Sequence, residues 1–197
     1  TVENKVEYDG NSGLVKKVLQ RNKLNGGAWD KENYQLVAAY TYDGLGKLVE
    51  KQLHEHIAGT NSFVQRVDYG YNIRGWLTGI NNQADDAAEG DVFKMQLFYN
   101  TSSSVGNTPL YNGKVSALTW QVNANGTTGK QRSYRFTYDK MDRLKHANYA
   151  ALETGAWTGE AGGYDEKDIS YDHNGNITGL KRNTINIGAA TATQIDH

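Results

Sequence analysis

Tyr171-Asp172-His173-Asn174-Gly175-Asn176-Ile177 is the stretch that decides the fold, because the chain repeats it. Tyr42-Asp43-Gly44-Leu45-Gly46-Lys47-Leu48 and Tyr138-Asp139-Lys140-Met141-Asp142-Arg143-Leu144 follow the same pattern. Tyr8-Asp9-Gly10-Asn11-Ser12-Gly13-Leu14 and Tyr71-Asn72-Ile73-Arg74-Gly75-Trp76-Leu77 are looser copies, and Tyr111-Asn112-Gly113-Lys114-Val115 is a degenerate one. The shared form is an aromatic, Asp or Asn, two free positions, a residue able to turn, one variable position and an aliphatic. An internal repeat outranks other signals, since missing it miscalls the architecture.

The chemistry of this pattern is that of a β-hairpin. Asp or Asn at the first position of a type I turn accepts a hydrogen bond from a backbone amide two residues on. The residue three places later must take a left-handed conformation, which glycine does without steric cost; Gly46, Gly75 and Gly175 stand there. Asp142 fills the slot in one copy, and Ser12 with Gly13 beside it predicts a turn shifted by one. A type I turn followed by a left-handed residue closes hairpins. The tyrosine then ends one strand and the aliphatic begins the next, covering the same end of the hairpin. In the degenerate copy, Asn112-Gly113 predicts a tighter two-residue turn.

Outward from these turns, Tyr34 to Tyr42, Phe63 to Tyr71, Phe93 to Tyr99, Leu118 to Val122 and Tyr134 to Tyr138 alternate with period two, as half-buried strands do. Val2 to Tyr8 reads as the first strand and Leu14 to Leu19 as its return. Arg21 to Asn33, Asn81 to Gly90, Thr101 to Thr108, Asn123 to Gln131 and Gly155 to Gly163 read as insertions or loops. No stretch sustains a helical period. The fold class expected is all-β: successive antiparallel hairpins forming one long twisted sheet over 1–182, with 183–197 a polar connector to a following repeat. Thr1 is not Met and no element closes the other end, so the chain reads as an excised piece of a longer protein.

Composition narrows the function. Hydrophobic content of 38% and a mean hydropathy of -0.71 argue against a thick core. Tyr 13 against Phe 4 suits strands with one wet face, because Tyr has an apolar body and a polar tip. A net charge of -1 carries no footprint for nucleic acid. The absence of cysteine rules out disulfides and thiolate metal sites. No apolar run is long enough to span a membrane as a helix.

The repeats resemble the YD repeats of the Rhs family, also found in teneurins and in the C component of insecticidal toxin complexes. Residues 8–14, 42–48, 138–144 and 171–177 carry the match best; the copies at Tyr71-Asn72 and Tyr111-Asn112-Gly113 look like variants in bacterial Rhs-type surface proteins. The resemblance implies a spiralling β-sheet that closes into a hollow shell, in bacterial members often around a C-terminal toxin. This chain lacks the Asp-Pro-x-Gly-Leu segment that closes the Rhs core, and any toxin domain. The expectation is therefore a non-catalytic wall segment of a secreted or cell-surface parent. Its partners would be neighbouring repeats of that parent and an enclosed protein cargo.

Candidate sites outside the repeats are few. His54 and His56 share a face of a predicted strand, a spacing that could ligate a metal, but no third ligand is apparent and no cofactor is expected. The repeated Asp9, Asp43, Asp139 and Asp172 are better explained by turn capping than by catalysis or calcium. No nucleophile elbow, phosphate loop or cysteine nucleophile is present. Trp29, Trp76, Trp120 and Trp157 support the competing reading, a carbohydrate-binding or adhesive module whose exposed rings stack on a glycan. Against it stands the reading that Trp76 and Trp120 cover neighbouring strands while the other two anchor loops.

Overall fold

A computed structural model of the chain describes residues 2–23, 34–57, 62–81, 91–124, 127–159, 163–185 and 192–196. Every regular element among them is a strand: β1 Val2–Tyr8, β2 Val15–Asn22, β3 Gln35–Tyr42, β4 Leu48–Ile57, β5 Ser62–Tyr71, β6 Leu77–Ile80, β7 Phe93–Phe98, β8 Ala117–Val122, β9 Gln131–Tyr138, β10 Leu144–Glu153, β11 Ala156–Thr158, β12 Glu166–Tyr171, β13 Ile177–Ile185 and β14 Ala192–Asp196. The chain is all-β, with antiparallel strands in open sheet. It divides into two compact units, one of residues 1–72 and 79–91, the other of 73–78 and 92–197.

In the first unit, β1 to β5 pair in chain order. The strand-end tyrosines face the residues after the turns, Tyr8 opposite Val15 and Tyr42 opposite Leu48, each beside a register shift. That shift is the bulge a left-handed residue creates when it closes a type I turn. The core is thin and lies on β3, where Leu36 and Ala38 are buried. β4 is irregular. His54 has φ +49 and the ladder with β5 slips between Glu55 and Ile57, so Glu55 rather than Leu53 is buried. His54 is exposed, and the side chain of His56 lies outside the described residues. Among the described residues no three His, Asp or Glu side chains gather as metal ligands.

In the second unit, β7 to β10 pair in order and β12 to β14 follow. Tyr138 faces Leu144 and Tyr171 faces Ile177. The Gly-rich loop expected after β10 begins as a hairpin instead. Thr154 and Gly155, at φ +44 and +87, join β10 to β11 in the doubly left-handed turn that suits strand twist. Trp157 on β11 donates to Ser104 Oγ at 3.2 Å, and Val105 in that loop is buried. β10 is buried on both faces, at Tyr149 and Ala151 on one and Ala150 on the other, and Tyr149 packs against Trp120, Tyr134 and Tyr164. The small side chains of Ala117, Ala151 and Ser133 are fully buried. From the stretch read as a connector, residues 183–185 finish β13 and 192–196 form β14, which pairs with it.

One expectation fails in the second unit. Asn112-Gly113 does not close a two-residue hairpin: β7 ends at Phe98 and β8 begins at Ala117. Gly113 is left-handed, φ +88, but it lies inside a long loop laid against Trp76, whose Cζ2 would sit 3.0 Å from a Cβ at 113. Packing onto the indole overrides the local hairpin preference.

Candidate functional site

The chemistry-bearing feature of this protein is the turn motif itself, and its parts come together as follows. Asp43 Oδ1 accepts the amides of Leu45 at 2.8 Å and Lys47 at 2.9 Å. Asp139 takes those of Met141 and Arg143, both at 2.9 Å, and Asp172 those of Asn174 and Asn176 at 2.9 and 2.8 Å. Backbone bonds close each bend, Gly46 N–H to Asp43 O and Asp142 N–H to Asp139 O, both at 3.0 Å. The left-handed residue falls where expected, at Gly46, Gly75, Asp142 and Gly175. In the first copy it is Gly13, φ +70, and Asp9 N–H bonds Leu14 O: the turn is one residue longer, with Asp9 Oδ1 taking Asn11 and Ser12 amides.

In three of the copies these bonds hold the carboxylate, that of Asp9, Asp139 or Asp172, in its charged form. The Ser12 amide and hydroxyl lower Asp9 below the ordinary Asp range. The Arg143 amide, helped by its guanidinium, does so for Asp139. For Asp172 the Asn176 side chain leads. A carboxylate accepting several N–H groups favours ionisation in this way.

The tyrosine before each turn is a latch onto the preceding copy. Tyr42 Oη donates to Val15 O at 2.9 Å and Tyr71 Oη to Leu48 O at 2.9 Å. In the second unit Tyr99 reaches Leu77 O at 2.9 Å, Tyr138 reaches Val115 O at 2.8 Å and Tyr171 reaches Leu144 O at 2.7 Å. The acceptor is the carbonyl of the aliphatic after the previous turn, or one residue later behind the longer first turn. Tyr8 opens the series and is exposed, and Ile177 ends it, also exposed. The latches span 22 to 27 residues. Burial raises the hydroxyls of Tyr99 and Tyr138 above the ordinary tyrosine value.

Tyr99 corrects the sequence reading, which placed the motif tyrosine of the degenerate copy at Tyr111. Tyr111 is 70% exposed, whereas Tyr99 is 9% exposed and makes the latch. Tyr99-Asn100 carries the aromatic–Asn pair, but an insertion separates it from the Asn112-Gly113-Lys114-Val115 end of the motif. A second omission is the variable position before the aliphatic. Its side chain lies on the next latch tyrosine: Lys47 over Tyr71 at 5.4 Å, Trp76 against Tyr99 at 5.1 Å, Lys114 over Tyr138 at 5.4 Å and Arg143 over Tyr171 at 4.5 Å. Three of the four are cations, the one sequence signal that could have found them. A cation over an aromatic face is attracted by the ring quadrupole.

The tryptophans are engaged elsewhere than on an open platform. Trp76 packs on Tyr99 with Arg74 at 5.1 Å from its ring. Trp120 stacks on Tyr134 at 5.5 Å and an interplanar angle of 17°, and Trp157 is bonded to the loop at Ser104. All three are half-buried. Trp29 lies outside the described residues. No helix among the described residues is long and apolar enough to cross a membrane.

Comparison with known proteins rests on structure, since no protein-family profile and no curated protein matches the sequence. The fold is similar to a chain in the crystal structure of TcdB2-TccC3-Cdc42, with a TM-score of 0.55 and 16% identity over 98% of this chain. A mutant Tc holotoxin pore from Photorhabdus luminescens and the crystal structure of TcdB2-TccC3-TEV align at 10% and 12% identity, with TM-scores of 0.37 and 0.36. This chain spans only 9% of the first of those chains. At such identity the likeness to TcdB2-TccC3-Cdc42 shows the fold alone, a sheet of successive antiparallel strands.

Proposed function

We propose that this chain is a non-catalytic wall segment of a YD-repeat β-shell in a secreted or cell-surface parent protein. The observation that carries the reading is the latch, a tyrosine hydroxyl bonded to the backbone of the preceding copy in five successive turns. Such a device does mechanical work. It ties each hairpin to the one before it, independently of the side chains between them, and so lets a sheet be extended copy by copy. The fold-level likeness to a chain of a Tc toxin complex supports the same reading, and an enclosed protein cargo is the function it suggests. The test is direct. The parent open reading frame should carry many further Tyr-Asp copies on either side, and the expressed parent, imaged by cryo-electron microscopy, should be a hollow β-walled particle that protects an internal polypeptide from protease. A parent without further copies would overturn the proposal. So would a glycan-array signal abolished by Trp76→Ala or Trp120→Ala, which would favour the adhesive module.

A further inference from the structure

We infer that Asn112 is a site of spontaneous deamidation, and that the fold singles it out from the otherwise equivalent Asn174. Both are exposed and both precede glycine, whose lack of a side chain leaves its amide nitrogen open to attack the asparagine side chain. The two differ in what holds that nitrogen. Gly175 N–H donates to Asp172 O at 3.2 Å, and the amides of Asn174 and Asn176 on either side are clamped on Asp172 Oδ1. The nucleophile at Gly175 is thus engaged in the turn. Gly113 N–H has no partner among the described residues.

The electrophile at 112 is also prepared. Asn112 Oδ1 accepts the Lys114 amide at 3.3 Å, and Nδ2 donates to Asp142 Oδ1 at 3.1 Å. A donor already aimed at the amide oxygen stabilises the negative charge that develops there on attack. In the step itself, hydroxide removes the Gly113 amide proton and the nitrogen bonds to Cγ of Asn112. The Cγ–Nδ2 bond breaks, and ammonia leaves with a proton from water. The resulting succinimide is opened by water at one carbonyl or the other, giving aspartate or isoaspartate.

The product undoes a contact. Nδ2 is the donor that ties this loop to the turn at Asp142, and the change sets a second carboxylate against Asp142, a like-charge pair. Isoaspartate also adds a carbon to the main chain directly above Trp76, where a Cβ at 113 would already stand 3.0 Å from the indole.

The test is incubation of the whole chain in mildly alkaline buffer, with peptide mapping that resolves aspartate and isoaspartate at 112 and 174. A parallel incubation in concentrated urea supplies the rates without the fold. The turn bonds that hold Gly175 N–H should slow attack by that nitrogen by a factor of about five or more. The 112-to-174 rate ratio in the folded chain should therefore exceed the ratio in urea by at least about fivefold. A smaller difference, or none, overturns the inference. Asn112→Gln should abolish modification at that position while leaving the rate at 174 unchanged.

Discussion

Replacing Tyr99 by Phe removes one hydroxyl and leaves the ring on Trp76. The bond lost runs from Tyr99 Oη to Leu77 O at 2.9 Å. A neutral hydrogen bond is worth about 0.5–1.5 kcal/mol net, and a buried acceptor stripped of its donor costs about 1–3 kcal/mol. With the tyrosine 9% exposed, the upper part of the first range applies, about 1.5 kcal/mol. For a chain of this size that is a fall in Tm of roughly 3–6 °C. Tyr111→Phe is the control. Its hydroxyl has no partner among the described residues and the residue is 70% exposed, so the change should stay within about 0.5 kcal/mol. Urea unfolding followed by far-UV circular dichroism reads both midpoints. Equal effects, or a larger effect at Tyr111, would falsify the latch assignment and restore Tyr111 as the motif tyrosine.

Four further outcomes follow from the same geometry. Arg143→Ala removes the guanidinium from the Tyr171 ring and from Asp172 O, and should lower the unfolding free energy measured in urea by about 1 kcal/mol; Arg143→Lys should recover part of it, and a neutral result would show the stacking to be passive. Gly175 has φ +87 with open space around a Cβ, so Gly175→Val should cost about 1–3 kcal/mol from backbone strain alone, and Gly175→Asn much less. Asp9, Asp139 and Asp172 all titrate below the ordinary value of 3.8. Their contribution is fully present above that pH and is lost as pH falls through the lowered values; the triple Asp→Asn variant should show a flatter acid limb in stability against pH. Finally, β1 pairs only with β2 among the described residues and exposes Val2 and Val6. The isolated chain should self-associate through this edge, with Val6→Lys lowering its light scattering.

The turns were legible in sequence because their causes are local. Asp at the first position captures amides two and four residues away, and the left-handed slot demands Gly or Asp within the same bend. Asp142 and the displaced Gly13 could therefore be placed without any knowledge of neighbours. The alternating tyrosines likewise announced strands, and hairpins in series announced an antiparallel sheet in chain order. What could not be read was which residues meet across copies. The latch acceptors lie 22 to 27 residues away, and nothing within one copy distinguishes a latched tyrosine from an exposed one. An insertion between Tyr99 and Asn112 was enough to move the motif onto the wrong aromatic. The bulge at His54, the burial of β10 on both faces and the seating of Gly113 on Trp76 have the same origin: distant packing outweighed local preference, and only the folded chain brings those groups together.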